Sequence, residues 1–516
     1  MKKCLSIVSV VLMALALTAC GGAQPDAGAE TGADPALVQG NHLVVAVPSF
    51  PVSLDNTMAN EFNSLMVHYN IVETLVRFDG PNFNVVPGLA ESWEMPDPQT
   101  VIMYLRQGVL FHNGNEMRAS DVAFSIMRGV DSPPVRFILN TIESVDVIDD
   151  FTVQINLNIP FAPILNHLTH PGAGVNCERA VLEAGDDFAN HPIGTGPFMF
   201  SSMSLGDYVE LVRFEDYWGE QPGVDGITIT VIPEVANRLI AVETGSAHIS
   251  FDISPHDIPR LQEDPNLAYN RAAVPRIHFL GFNHQSPTAT PLLDPRVRQA
   301  INYAIDVEAI VDVVYQGLGR IVHGPMVGIP GSLEFDGFEF NLDRARELMA
   351  EAGYADGFSL ELWNTADNQL EVDTSVILQN MLGQIGIDVN IVSVEFAAFL
   401  ASINNGEHDA YVLSWNNITA DPDYALTLFH GGNIPSPNRF RYQNTELDRL
   451  LDMGREELNA PARLEIYRQA QHIIAEDMPA VFLLQGEELT ALSPQVQGFV
   501  NFPIRTSKFN TVYFAN

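Results

Sequence analysis

A chain of 516 residues that is 46% hydrophobic and 17% charged can bury a large core, yet it is too long for one compact domain, so two or three lobes are expected. Its 26 Lys plus Arg stand against 64 Asp plus Glu, and the formal net charge of −38 repels phosphate backbones and anionic headgroups, which argues against nucleic acid as a partner. The acids spread along the chain rather than forming a block, as on a solvated surface.

At the N-terminus, Lys2 and Lys3 precede a short apolar run, Leu5 to Leu17, too short to span a bilayer as a stable helix and read as an export signal over residues 1–19. Its end, Leu17-Thr18-Ala19-Cys20, resembles a bacterial lipobox, in which cleavage before the cysteine leaves Cys20 as a lipidated N-terminus. The lipid chains then tether the protein to a membrane face without a spanning helix. Cys4 leaves with the signal, so Cys177 is the one other mature thiol; an internal disulfide is excluded, and Cys177 reads as a small buried hydrophobe. Residues 20–40, rich in Gly and Ala without apolar periodicity, read as a flexible tether.

The folded body opens at His42 to Val47 (HLVVAV), an apolar strand ended by Pro48 that carries Ser49 and Phe50 to a sheet edge. Phe151 to Asn158 alternates apolar and polar and pairs as a hairpin with Val145 and Val147, one face wet. Tyr208 to Phe214 and Ile227 to Ile232 are further strands, and few helices are expected in this half. After about residue 290 helices alternate with strands. Asp294-Pro295 and Asp306 cap helices; Asn341 to Gly353 and Asp373 to Gly386 each show a polar N-cap, an apolar stripe and a terminal Gly, the second leading into Ile387 to Val394. Helices over Leu447 to Arg455 and Ala462 to Glu476 precede the apolar Ala480 to Leu484.

Several motifs resemble the peptide and nickel class of bacterial extracellular solute-binding proteins, family 5. They run from Tyr69-Asn70-Ile71-Val72-Glu73-Thr74-Leu75-Val76 through Val86-Pro87-Gly88-Leu89-Ala90-Glu91-Ser92-Trp93, Leu105 to Val109, Phe111-His112-Asn113-Gly114 and Ala119 to Ser125. Gly194-Thr195-Gly196-Pro197-Phe198, Gly281-Phe282-Asn283, Asp294 to Ile301, and Trp415 with Asp421-Pro422-Asp423 continue the likeness. Asn113-Gly114 is a tight turn, and Ser120 is placed to cap a helix burying Val122, Phe124 and Ile126. Gly194 to Pro197 lacks the Lys-Ser/Thr of a phosphate loop and reads as a strained connection.

The resemblance implies an α/β, two-lobed fold, type II-like and of the large cluster C type, with an extra subdomain inserted in the N-terminal lobe. Residues 41–78, 193–275 and 491–516 would form the hinge-bearing core, 79–192 the inserted subdomain and 276–490 the second lobe. It further implies a monomeric receptor that captures a peptide or peptide-like solute between the lobes and delivers it to an ABC permease and ATPase complex. Ligand contacts are expected at Ser49 and Phe50 from one lobe and at Ser414, Trp415, Asn416, Asn417, Ile418 and Asp421 from the other, where Trp415 follows an expected strand, Asp409 to Leu413. In relatives that bind free peptides, an Asp three residues after the Trp pairs with the α-amino group; here that position is Ile418. Either Asp421 or Asp423 could replace it, although Asp421-Pro422 also reads as an N-cap with proline at the first helical position. No cofactor is expected. His167 and His170 lack a third ligand nearby, so no metal is expected either, and no H-E-x-x-H, G-x-S-x-G or Walker pattern supports catalysis. The competing readings are an anchored hydrolase, a sensory or adhesive lipoprotein, and a receptor for a nickel chelate, sugar or opine.

Overall fold

The computed structural model describes residues 41–80, 82–501 and 508–515. The expected signal, the tether and Cys20 lie outside the described residues. An eleven-stranded mixed sheet runs through the molecule. At its first-lobe end, His42–Val47 pairs parallel with Gly226–Val231 and Ile249–Ser250, and Tyr208–Arg213 and Phe198–Ser204 extend the edge antiparallel. The run HLVVAV forms this central strand because both its faces are covered: Leu43 to Val47 are all fully buried.

Two long antiparallel strands, Ala268–Phe282 and Ala480–Leu492, carry the sheet from one lobe to the other. Their register shifts between Ala273 and Ile277, where Pro275 cannot donate to the ladder. On the far side follow Ala410–Asn416, Phe358–Thr365 and Ile387–Val394, the last two parallel and joined through the helix Gln369–Gly383. That crossover makes the α/β character of this half. Helices cover both faces here: Leu280 and Phe282 point into one apolar cluster, Ile277 and Phe279 into another.

A separate four-stranded antiparallel sheet, Ala90–Asp97, Thr100–Leu105, Thr152–Leu157 and Ile142–Asp149, packs one face on the helix Ala119–Asp131 around its own cluster of Val101, Met103, Val122, Ile126, Val153 and Ile155. Cys177 is buried in this cluster, as expected of a small hydrophobe.

Several local expectations are corrected. The first half holds more helix than anticipated, including Phe62–Ile71, Ala119–Asp131 and Val235–Glu243. Ser120 lies inside its helix rather than capping it. The Asp121 carboxylate does that work by accepting from the Arg118 N–H at 2.9 Å, and Phe124 is half-buried. The helix expected from Asp373 begins four residues earlier, at Gln369, because Glu371 is held inside by the Thr365 hydroxyl at 2.7 Å. Gly194 and Gly196 keep negative φ. What they permit is close approach: a Cβ on Gly194 would stand 2.2 Å from the Ile71 carbonyl oxygen. Asp294, Asp306 and Asn341 cap their helices as expected.

Candidate functional site

The candidate ligand residues of the second lobe sit at the C-terminal end of Ala410–Asn416, the side of an α/β sheet where ligands collect. Trp415 was expected just beyond a strand ending at Leu413; it lies within the strand, which runs on to Asn416. Alternation therefore divides the group. Ser414 and Asn416 stand opposite His278 and Arg276, whereas Trp415 stands opposite Ile277. The Trp415 ring is half-buried, stacks on Tyr424 at 5.2 Å between centroids and donates its Nε1–H to the Tyr424 carbonyl at 3.2 Å. One side of this indole is already occupied by protein.

On the other face, the Asn416 Oδ1 is buried with no hydrogen-bond partner. Nor does its Nδ2 meet a partner among the described residues, so the whole amide is unspent. Beside it, Arg276 pairs with Glu488 at 3.1 Å, a contact between residues 212 apart that no local pattern announces. Next along the strand, the Tyr315 hydroxyl and His278 Nδ1 lie 3.3 Å apart; burial holds that imidazole near a pKa of about 3, with the Arg276 charge adding to the shift, so it is neutral.

Asn417 is spent internally. Its backbone N–H donates to Pro275 at 2.8 Å and its Nδ2 to the Asp421 carbonyl at 2.9 Å, which closes the loop after the strand. Asp421 caps the helix Pro422–Leu426 by accepting from the Asp423 N–H at 2.8 Å. Its buried carboxylate also receives a two-pronged guanidinium from Arg463, at 2.6 and 2.8 Å. Asp423 is matched in turn by Arg455 at 3.1 Å; burial pushes its carboxyl pKa up and Arg455 pulls it back. Burial works against the Arg463 charge, but the adjoining Asp421 outweighs it and holds the guanidinium above its ordinary value. Both acids of the motif thus have their counter-charge within the protein. The expected alternatives to a carboxylate at Ile418 are braces of this loop. Sequence reading named the caps and missed the arginines, which lie on helices 32 and 42 residues downstream of the acids they meet.

Ile418 packs against the cluster of the four-stranded sheet, across the gap between the lobes. Two hydrogen bonds flank that contact: Asn166 Nδ2 donates to the Thr419 carbonyl at 3.0 Å and the Ala162 N–H to the Arg455 carbonyl at 2.7 Å. Ser49 and Phe50 close the strand His42–Val47 in the first lobe. Ser49 is exposed and accepts from Asn63 Nδ2 at 2.7 Å, while Phe50 packs on the first-lobe core. Among the described residues, no hydrogen bond joins this pair to Trp415 or Asn416. The buried and unpartnered Oδ1 of Asn63, next to Ser49, is a polar atom that the sequence did not single out. Among the described residues, no group of three or more His, Cys, Asp or Glu is arranged to hold a metal ion.

Two lobes joined by paired crossover strands, with the unpartnered Asn416 Oδ1 at a strand end, have the architecture of a binding protein. A family model for bacterial extracellular solute-binding proteins, family 5, matches residues 84–436, and the chain belongs to that family. It is 28% identical over 472 residues to Heme-binding protein A of Haemophilus influenzae, covering 85% of this chain and 86% of that one. To Glutathione-binding protein GsiB of Pectobacterium atrosepticum it is 29% identical over 478 residues, covering 89% and 91%. Among solved structures, the ABC transporter-associated periplasmic binding protein DppA from Helicobacter pylori, in complex with the peptide STSA, superposes with a TM-score of 0.77 at 28% identity, covering 92% of this chain and 98% of that one. Among the described residues no helix is long and apolar enough to cross a membrane.

Proposed function

We propose that this chain is the solute receptor of an ABC importer, anchored through Cys20, and that it takes an uncharged peptide-like solute rather than a free dipeptide. The observation that carries this reading is the Oδ1 of the half-buried Asn416, buried at a strand end without a partner. A buried carbonyl oxygen left unpaired costs about 1 to 3 kcal/mol, which a ligand N–H regains by donating to Oδ1, while Nδ2 can donate to a ligand carbonyl. Ser414 on the same face and Ser49 and Phe50 from the other lobe complete the contacts in this reading, while Trp415, on the opposite face of the strand, lies outside them. Asn417 and Asp421 hold the loop in place from behind.

The same reading explains why an α-ammonium group is a poor match. Position 418 carries an isoleucine, and Asp421 and Asp423 are neutralised by Arg463 and Arg455. A desolvated ammonium without a counter-charge costs several kcal/mol, a large share of the roughly 8 kcal/mol of a micromolar complex. The relatives bind heme, glutathione and peptides by their names, so solute choice varies within the family. The working unit is a monomer in which 41–78, 193–275 and 491–516 form the hinge-bearing core, 79–192 an inserted subdomain and 276–490 the moving lobe. The solute is bound and released unchanged.

Native mass spectrometry of the purified receptor identifies the co-bound solute. Replacing Asn416→Leu should then weaken its binding by about 1 to 3 kcal/mol, roughly 5- to 150-fold, with the melting temperature held or raised. Unchanged affinity in that variant would refute the assignment.

A further inference from the structure

A cavity of about 530 Å³ does not touch the second lobe. It is lined by Tyr69, Glu73, Arg77, Trp218 and Lys508 among others, all from the core and the segment expected to be inserted in it. Lys508 is the one lysine of the sequence beyond Lys2 and Lys3. In a chain of net charge −38 it is placed, partly buried, in a pocket. Arg77 stands exposed at the same pocket. Among the described residues neither side chain has a hydrogen bond or an ion pair.

Three acids, Glu73, Asp79 and Glu220, also line the pocket; Glu220 is exposed, and the other two are held by neighbours. The Glu73 carboxylate receives Trp218 Nε1–H at 2.7 Å, the Tyr217 hydroxyl at 2.8 Å and the Thr195 hydroxyl at 3.0 Å, so its acceptor capacity is largely used. Asp79 receives Asn84 Nδ2 at 2.9 Å. Burial lowers the Lys508 pKa, against the opposing pull of the Glu73 charge, and Arg77 lowers it further. An ammonium in that position gains from any anion admitted beside it. A desolvated cation without a contact partner is unfavourable unless a ligand supplies the charge.

We propose that this cavity is a second binding site, separate from the cleft at Asn416, which admits a small organic monocarboxylate with an apolar body. Lys508 and Arg77 receive the carboxylate, and the Tyr69 and Trp218 rings line the space for the body. A single negative charge fits better than phosphate, because Glu73 faces the same space and repels a dianion more strongly. The assignment does not depend on the solute of the main cleft.

Because Lys508 is the only lysine near the C-terminus, its reactivity can be read alone. The purified protein is treated with N-hydroxysuccinimidyl acetate, and acetylation of the C-terminal peptide is timed by mass spectrometry. The probes are benzoate, inorganic phosphate and chloride at equal ionic strength. Benzoate at about ten times its Kd should slow acetylation about tenfold with saturation, while the other two leave it unchanged. Arg77→Gln, with an unaltered melting curve, should raise the half-protecting benzoate concentration several-fold. In Lys508→Gln, the benzoate-dependent change in tryptophan fluorescence should vanish. Equal acetylation rates with and without benzoate, or equal protection by all three anions, would overturn the proposal.

Discussion

Arg463 illustrates how one side chain fixes a loop that carries ligand contacts. It is largely buried, grips Asp421 with two nitrogens and lies over the Tyr467 ring at 5.0 Å. Removing it leaves a buried carboxylate with no counter-charge, a loss of about 3 to 5 kcal/mol for a broken buried pair. Arg463→Met should lower the urea midpoint accordingly. The double variant with Asp421→Asn should recover much of the loss, since an uncharged cap keeps its bond to the Asp423 N–H. A single variant as stable as the parent would show that the pair contributes nothing. At this scale the caps were legible, because Asp followed by Pro has a local meaning. Their partners were not: an arginine 42 residues away carries no sequence mark of the acid it meets.

At the scale of elements, the apolar runs and Gly-terminated helices were readable because burial imposes a period on them. The failures have physical causes as well. The helix at Gln369 starts early because a tertiary contact to Thr365 keeps Glu371 inside, and Trp415 belongs to its strand because pairing with Ile277 extends the ladder. The split of Ser414 and Asn416 from Trp415 was implicit in strand alternation once that boundary was placed correctly. One contact between elements lies wholly beyond sequence reading: the segment at Ala162 and Asn166 meets Arg455 and the loop at Ile418 and Thr419. This contact joins the lobes without help from solute. Truncating Ile418→Ser removes its apolar part, and with it about 1 to 2 kcal/mol of bias toward the closed arrangement. The unliganded variant should show a larger radius of gyration by small-angle scattering than the unliganded parent, and saturating solute should bring the two together. Equal radii without solute would mean that Ile418 does not hold the lobes.

For the whole molecule, the histidines set the response to acid. Burial holds His68 and His408 near a pKa of about 4 and His170 and His278 near about 3, all below the ordinary value of 6.5. Like-charge neighbours add to this: His170 faces His68 and His167, and His278 faces Arg276. A group whose folded pKa is lowered binds fewer protons folded than unfolded, so stability rises with pH between the two values and is complete above about 6.5. On acidification it falls by up to about 1.4 kcal/mol per pH unit for each such group until the folded pKa is reached. Glu73, Glu371 and Asp423 act in the opposite sense, since burial raises their carboxyl pKa values and their contribution is lost as pH rises. The histidine effect is shared by more groups, so it decides the slope between pH 6.5 and 5. Against a net stability on the order of 10 kcal/mol, four such histidines bring the protein close to unfolding near pH 5. Urea midpoints measured in half-unit steps should therefore fall steeply below pH 6.5, with net proton uptake on unfolding. His170→Gln, which keeps an acceptor for the Gly172 N–H, should reduce that uptake by about one proton. A flat profile from pH 7 to 5 would show that these imidazoles are hydrated in the folded state rather than sealed in its core.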